Sequence, residues 1–264
     1  EVSDDPAVHE SVLRDILRWM AEADLSDSPP SFAQQIHRRL RRLTAVDDPY
    51  REAKKRQNEM AVRLLPDLRR KIARAPRPME LAVRLAIAGN VIDMGVAGEV
   101  TESMLGDAID EAMEEPLAGH LEELLEEARA ARSILYLADN AGEIAFDRLL
   151  IEQLGPQRVT VVVRGAPVIN DATLADAHAV GLDGSVRVVD NGSDAPGTLL
   201  PDCSREFQSL FHASDLVIAK GQGNFESLID EERDVFFLFK VKCPVVADRA
   251  HAPVGTHVLA RSRG

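Results

Sequence analysis

The feature that most constrains the fold of this 264-residue chain is a change of hydrophobic period near residue 133. Beyond that point, short apolar runs rich in β-branched residues alternate with stretches of helical period. The five runs are Ile134–Leu137, Val159–Val163, Val186–Val189, Leu216–Ala219 and Val235–Phe239. This alternation predicts βαβ units and a mostly parallel sheet with helices on both faces. We therefore expect an α/β fold in which a Rossmann-like sheet forms the middle of three α/β/α layers.

The first half of the chain has the period of amphipathic helices. Apolar residues recur at helical spacing in four segments, and the last of these runs from Leu117 to Ala128 with glutamates on its opposite face. We predict a helical bundle over 1–130 and an α/β part over 131–264. The helices of the α/β part are expected near 144–154, 172–179, 202–212 and 224–232.

Composition excludes several classes of protein. There are 31 basic and 44 acidic residues, a net charge of −13, which argues against a nucleic-acid partner. Only Cys203 and Cys243 occur, so neither a disulfide scaffold nor a cysteine-rich zinc site is expected. No apolar run approaches the roughly 18 residues of a membrane helix, and the chain starts without the features of a signal peptide. A cytoplasmic protein with no membrane partner is predicted; the sequence indicates nothing about its oligomeric state.

Polar residues follow every predicted strand. In an open parallel sheet, ligands bind outside the carboxyl ends of the strands, so these residues are expected to share one edge. They are Asp139, Asn140 and Glu143 after the first run; Arg164, Asn170 and Asp171 after the second; Asp190 after the third; Lys220, Gly221, Gln222, Gly223, Asn224 and Glu226 after the fourth; and Lys240 and Lys242 after the fifth.

The types of these residues indicate phosphate chemistry. Asp139, Asn140 and Asp171 are hard oxygen donors without a nearby histidine or cysteine, which suits Mg²⁺ or Mn²⁺ better than zinc. Alternatively, each of them caps the helix that follows it. Lys220, Lys242 and the amides of a Gly221–Gly223 turn could hold an anion, although that turn could also be a simple connection. A metal opposite lysines could polarise a phosphoryl oxygen and activate water.

Familiar alternatives are missing from the sequence. The first strand is not followed by a dinucleotide-binding glycine fingerprint, and no P-loop, G-x-S-x-G elbow, Cys-x-x-Cys or His-Glu-x-x-His motif occurs.

The motifs together resemble the DUF89 proteins, also called the damage-control phosphatase family, and in particular its prokaryotic branch. The resemblance is carried by DNAGE at 139–143, GAPVINDAT at 165–173 and IAKGQGNFE at 218–226. It extends to DPY at 48–50, NE at 58–59, GNVID at 89–93 and FKVKCP at 239–244. The sequence departs from that branch in lacking a Cys-x-x-Cys segment, and Gln222 stands where the eukaryotic branch has an acid.

The resemblance implies a divalent-metal-dependent phosphatase of small phosphorylated metabolites, such as sugar phosphates or damaged phosphometabolites. It implies that Asp139, Asn140 and Asp171 bind Mn²⁺, Mg²⁺, Co²⁺ or Ni²⁺ and that Lys220 and Lys242 contact the substrate. The segment from Gln222 to Glu226 is expected to contact the substrate too, with Asn224 its clearest member. Asn90 and Asp93 either line the cleft or tie the two parts of the chain together.

Several roles stay open at this point. Asp139 could be the nucleophile in place of water, and Glu143 and Asp190 are candidates for the general acid or base. A carboxyl methyltransferase and a non-catalytic phosphometabolite sensor are alternative functions. Against the methyltransferase, the sequence has no glycine-rich methyl-donor loop after the first strand. Against the sensor, a protein that only binds its ligand does not need a metal-bound water.

Overall fold

The computed structural model describes residues 3–89 and 102–263. The helices are α1 (Pro6–Met20), α2 (Pro29–Thr44), α3 (Arg51–Arg74), α4 (Pro78–Ala88), α5 (Glu102–Glu114), α6 (Leu121–Ala130), α7 (Glu143–Leu154), α8 (Leu174–Ala179), α9 (Arg205–Ala213), α10 (Gly221–Leu228) and α11 (Pro244–Ala250). The strands are β1 (Leu117–Gly119), β2 (Ile134–Leu137), β3 (Val159–Val163), β4 (Arg187–Asp190), β5 (Leu216–Lys220), β6 (Phe236–Lys240) and β7 (His257–Arg261). None of these helices combines the length and the apolar character needed to cross a membrane.

The strands form one sheet in the order β1-β7-β6-β5-β2-β3-β4. Every neighbouring pair is parallel except β6 and β7, which run antiparallel. The mostly parallel sheet predicted from the sequence is therefore confirmed. All five predicted strands are present, with their ends displaced by no more than one residue.

The outer strands β1 and β7 were not expected, and the helical assignment of Leu117 is wrong. Leu117 pairs with His257 in β1, and the helix begins only at Leu121. The cause is Gly119, whose φ is +107° and at which a Cβ would lie 2.1 Å from the carbonyl oxygen of Leu259. The glycine breaks the helical register, and pairing with β7 then decides the conformation of the three residues before it.

Two hydrophobic cores lie on opposite faces of the sheet. Successive residues of β2 alternate between them: Ile134 and Tyr136 pack into the core that also includes residues of α3, α4 and α7. Leu135 and Leu137 pack into the core formed with α9, α10 and α11. This period of two is that of a strand buried on both faces, and it confirms the three-layer architecture.

The order of the strands sets the position of the site. From β2 the chain adds β3 and β4 on one side of the sheet, and then β5 and β6 on the other. The carboxyl ends of β2 and β5 therefore flank a topological switch point, where open α/β sheets bind ligands. Asp139 follows β2 closely, and Gly221 follows β5 directly.

Candidate active site

Asp139 lies at the switch point against the backbone of Gly221. Its side chain is largely buried, and Gly221 has a φ of +81°. A Cβ on Gly221 would lie 2.0 Å from Oδ2 of Asp139. Glycine is thus required here for its backbone conformation and also for the space that the carboxylate occupies.

Backbone pairing brings the loop after β3 to the loop after β2. Asn140 and Asp171 form an antiparallel bridge. The amide of Ala172 donates to the carbonyl of Asp139 at 2.7 Å, and the amide of Ala141 donates to the carbonyl of Asn170 at 2.8 Å. These bonds place Asn140, Asn170 and Asp171 beside Asp139, as the positions after the strands predicted.

The side chains of Asp139, Asn140 and Asp171 do not cap the helices that follow them. The N-cap of α7 is Gly142, and the side chain that bonds to this end is that of Asn58, which accepts from the Gly142 amide at 2.7 Å. The N-cap of α8 is Thr173, which forms a capping box with Asp176. None of these three side chains is therefore the N-cap of the helix that follows it.

The predicted glycine turn belongs to a helix. Gly221, Gln222 and Gly223 form the first turn of α10, which begins three residues earlier than expected and has Lys220 as its N-cap. The side chain of Lys220 does not cap this end, and Gly221, the first residue of the helix, lies beside Asp139.

Arg164 is the buried cation of the site. Its Nε donates to Oδ2 of Asp171 at 2.7 Å, and its Nη2 lies 3.7 Å from Oδ1 of Asp139. Its Nη1 donates to Oδ1 of Asn224 at 3.2 Å and to Oγ1 of Thr198 at 3.4 Å. Nη2 has no hydrogen-bond partner among the described residues. The guanidinium is thus fixed along one edge and keeps a donor directed at Asp139.

Asn224 is fully enclosed rather than exposed at the cleft. Its amide nitrogen donates to the carbonyls of Lys220 at 2.7 Å and Ala138 at 3.3 Å, while its oxygen accepts from Arg164 and Thr198. In this structure Asn224 orients Arg164; its contact with substrate stays a prediction.

A second buried network adjoins the first. Nδ2 of Asn140 donates to Oδ2 of Asp139 at 2.9 Å and to Oε2 of Glu143 at 3.1 Å. Nζ of Lys220 donates to Oε1 of Glu143 at 2.6 Å, to Oδ1 of Asp147 at 2.8 Å and to the carbonyl of Ala86 at 2.6 Å. Lys220 has no exposed surface. The sequence predicted a phosphate contact for this lysine, and the structure encloses it among three acceptors instead.

The electrostatics of these clusters favour a bound cation. Burial, together with the charges of Asp171 and Glu143, raises the pKa of Asp139 well above its ordinary value, against the opposing effects of Arg164 and Lys242. Asp139, Glu143, Asp147 and Asp171 are four buried carboxylates, and Arg164 and Lys220 are two buried cations. With all six side chains ionised, these clusters carry two negative charges in excess, which a divalent cation would balance.

The donor set also suits a hard cation. The part of the chain that the structure describes contains no group of three His, Cys, Asp or Glu side chains arranged to bind a metal. The candidate set has only two carboxylates, Asp139 and Asp171, so the amide oxygen of Asn140 would be its third donor. Carboxylate and amide oxygens are ligands for Mg²⁺ and Mn²⁺, and the residues fit such an ion.

Comparison with known proteins agrees with this geometry. Residues 1–258 match the family model of the damage-control phosphatase ARMT1-like domain. The chain belongs to the damage-control phosphatase family. A damage-control phosphatase of Pyrococcus horikoshii is 39% identical over 237 residues, which cover 85% of this chain and 78% of that protein. A damage-control phosphatase of Archaeoglobus fulgidus is 34% identical, covering 97% of this chain and 91% of its own length.

Solved structures of the damage-control phosphatases show the same fold. A DUF89 family protein from Pyrococcus horikoshii superposes with a TM-score of 0.90 at 33% identity, over 99% of this chain and 92% of that one. An uncharacterized protein of Methanocaldococcus jannaschii, 33% identical over 99% of this chain and 89% of its own, is a further relative.

The rim of the site carries the remaining residues of the family motifs. The charge of Lys242 acts on the carboxylate of Asp139. Gln222 accepts from the amide of Lys242 at 3.2 Å and donates to Glu226 at 3.0 Å. Partial burial raises the pKa of Glu226, although the Gln222 hydrogen bond opposes the shift. Gln222 thus fixes the backbone that presents Lys242.

One predicted site residue, Asp190, is not brought to this cluster. Asp190 ends β4 and accepts from the amide of Gly192 at 2.9 Å in a local turn on an exposed edge of the sheet. Asn90 and Asp93 lie outside the described residues.

Sequence reasoning gave no role to Asp147, Tyr136, Thr198 or Asn58. Asp147 accepts from the hydroxyl of Tyr136 at 2.7 Å, and it could have been found as the acid one helical turn after Glu143 on the buried face of α7. Asn58 accepts from the amide of Gly142 at 2.7 Å and donates to Asp176 at 2.9 Å. It links α3 to the turn that carries Asp139 and Asn140, and only tertiary structure reveals that link.

Proposed function

We propose that this chain is a divalent-metal-dependent phosphomonoesterase that acts on small phosphorylated metabolites. The observation that carries the proposal is the pair of buried carboxylates, Asp139 and Asp171, held beside Arg164 at the switch point of the sheet. Arg164 has a hydrogen-bond donor, Nη2, without a partner among the described residues. An unsatisfied buried donor is costly, and a phosphoryl oxygen placed at this point would satisfy it.

Asp139, Asn140 and Asp171 would hold the metal, which we propose to be Mn²⁺, Mg²⁺, Co²⁺ or Ni²⁺. When bound, a divalent cation supplies Lewis-acid polarisation of the phosphoryl group. Its charge would also lower the cost of ionising Asp139, because the pKa of that carboxyl is raised by burial and by Asp171 and Glu143.

The protein's own residues would orient the ester. Arg164 would donate from Nη2 to a phosphoryl oxygen, and its other nitrogens are already fixed by Asp171, Asn224 and Thr198. Lys242 would add positive charge from the rim, and the first amides of α10 would offer further donors to the phosphate. The net reaction adds water across the P–O bond and releases an alcohol and inorganic phosphate.

The two relatives named damage-control phosphatases support a substrate of the small phosphometabolite class. We also propose a cytoplasmic location, since both cysteines are unpaired and such metabolites are intracellular.

The test is hydrolysis of p-nitrophenyl phosphate after treatment with EDTA and after addition of each metal. We expect metal to restore phosphate release in the wild type and not in Asp171→Asn. The matched control is Asp190→Asn, which also follows a strand but lies outside the cluster and should retain activity. A folded wild type that releases no phosphate with any of the four metals would contradict the proposal. Methyl-donor binding would then separate the methyltransferase from the sensor.

A further inference from the structure

We propose that Lys220 is a positioning residue, which acts through Glu143 on the candidate metal ligand Asn140 and does not contact the phosphate. This inference rests on the proposed function, because it concerns how the same site is held. It gives Lys220 a different role from the one that the sequence motif implies.

The contacts of Lys220 leave no donor for a substrate. An ammonium group has three N–H donors, and Nζ has three acceptors at 2.6 to 2.8 Å, on Glu143, Asp147 and Ala86. The residue has no exposed surface. To reach a phosphate, the side chain would have to break two buried ion pairs and one hydrogen bond to a carbonyl.

Lys220 is held in its charged form. Burial by itself would lower the pKa of this lysine, but Asp147 and Glu143 outweigh that effect and raise the pKa above its ordinary value. A buried ammonium of this kind is strongly coupled to its acids, since removing one partner leaves the other charge uncompensated.

Glu143 contacts both Lys220 and Asn140 and so links the lysine to the candidate metal ligand. Its Oε1 accepts from Lys220, and its Oε2 accepts from Nδ2 of Asn140 at 3.1 Å. A carboxylate fixed by an ammonium therefore orients the amide and directs the amide oxygen away from Glu143. Outer hydrogen-bonding partners of this kind orient metal ligands and tune metal affinity.

The same lysine joins the helical half to the site. The carbonyl of Ala86 belongs to the last turn of α4, where carbonyls lack partners within the helix and cations are favoured. Just beyond it, a Cβ on Gly89 would lie 2.8 Å from the Phe146 ring and 3.2 Å from Cγ of Glu143. The end of α4 thus packs directly on the carboxylate that orients Asn140.

The test is Mn²⁺ binding measured by titration calorimetry on EDTA-treated protein, together with inhibition by inorganic phosphate at saturating Mn²⁺. Lys220→Met and Glu143→Gln should each weaken Mn²⁺ binding by about 10- to 100-fold. The double variant should bind Mn²⁺ no more weakly than the worse single variant, because both changes disrupt the same chain of contacts from Lys220 through Glu143 to Asn140. The inhibition constant of phosphate should stay unchanged in Lys220→Met and rise in Lys242→Met.

Tyr136→Phe is the control for a merely structural effect. It removes the hydroxyl that donates to Asp147, on the side of the network away from Asn140. We expect it to lower the thermal midpoint and leave Mn²⁺ affinity unchanged. If Lys220→Met fails to fold, the Mn²⁺ affinity of Glu143→Gln tests the inference. In that variant Lys220 still has its contacts with Asp147 and with the carbonyl of Ala86, so the protein is expected to fold.

Three results would overturn the inference: wild-type Mn²⁺ affinity in Glu143→Gln, wild-type Mn²⁺ affinity in folded Lys220→Met, or weaker phosphate inhibition in Lys220→Met at saturating metal. Each is distinct from failure of the proposed function, which would appear in the wild type as absent metal binding or absent phosphate release.

Discussion

Two neighbouring clusters of buried charge have the same composition and differ in how fully the hydrogen-bond donors of their cation are used. The first, which we propose to be catalytic and call the catalytic cluster, consists of Asp139, Asp171 and Arg164; the second, the anchor cluster, consists of Glu143, Asp147 and Lys220. Each has two carboxylates and one cation. In the catalytic cluster Nη2 of Arg164 has no hydrogen-bond partner among the described residues. In the anchor cluster all three ammonium donors are used.

The use of the cation's hydrogen-bond donors, and not the charge composition, distinguishes the two clusters. A cluster whose donors are all used is stabilised by its own contacts, and an added ligand would have to displace them. A cluster with a free donor and an excess of negative charge gains from a ligand that supplies the missing partner. The two clusters meet at Asn140, which donates to one carboxylate of each.

The cation of the catalytic cluster should not be exchangeable. Arg164→Lys keeps the charge but cannot hold Asp171, Asn224 and Thr198 while directing a donor at the substrate. We expect kcat to fall by about 10²- to 10³-fold, the usual cost of losing a preorganised donor. Steady-state kinetics at saturating Mn²⁺ measure this. A variant with wild-type kcat would show that charge alone suffices and that the distinction between the clusters is wrong.

The space beside the catalytic cluster should be equally restricted. In Gly221→Ala the new Cβ would lie 2.0 Å from Asp139, so the carboxylate must move. A misplacement near 1 Å costs about 10²-fold in rate, and we expect a loss of that size in kcat/KM. Gly184→Ala is the control, because a Cβ there meets nothing within 4 Å. Equal activity of the two variants would exclude close packing of Asp139 as a requirement.

Loss of the hydrogen bond between Asn58 of α3 and the amide of Gly142 should have a smaller effect than the two changes above. Asn58→Ala leaves the buried amide of Gly142 without its acceptor, which costs about 1–3 kcal/mol of folding free energy. Because Gly142 follows Asn140 closely, we also expect weaker Mn²⁺ binding. Denaturant unfolding and metal titration measure both effects, with the exposed Lys55→Ala as control. Loss of stability at unchanged metal affinity would assign Asn58 to the scaffold alone.

The smallest effect is the pH dependence that the anchor cluster gives to stability. Burial, partly offset by Lys220, raises the pKa of Asp147 from 3.8 to about 6. The folded state therefore binds this proton more tightly than the unfolded chain does. The resulting stabilisation is complete below about pH 4 and is lost as the pH rises through about 6.

Relative to Asp147→Asn, the wild type should thus lose unfolding free energy between pH 4 and pH 6, as measured by urea denaturation. Asp24→Asn should show no such trend, because a backbone hydrogen bond from Ser26 lowers the pKa of that exposed carboxyl. A constant difference between wild type and Asp147→Asn across this range would show that folding does not raise the pKa of Asp147.

The sequence predicted the five strands β2 to β6 and the edge of the sheet at which the candidate site lies. It could do so because successive residues of a strand such as β2 pack into apolar cores on opposite faces of the sheet. Parallel strands also place their carboxyl ends at the same edge of the sheet. It did not predict β1 and β7, since three residues ending in Gly119 have no periodicity of their own. Their conformation comes from a partner that is distant in the chain.

For the candidate site, the sequence placed Asp139, Asn140, Arg164 and Asp171 at one edge of the sheet, because they follow the first two predicted strands. Whether they capped helices was a question of backbone dihedrals at Gly142 and Thr173, which the tertiary structure answered. Lys220 shows most clearly what the sequence alone could not predict. In the sequence, a lysine after a strand looks the same whether its ammonium group faces an open cleft or contacts two buried acids. Here the two acids belong to a helix more than seventy residues earlier in the chain. Sequence determined which charges reach the edge of the sheet, and only packing decided which of them are already paired.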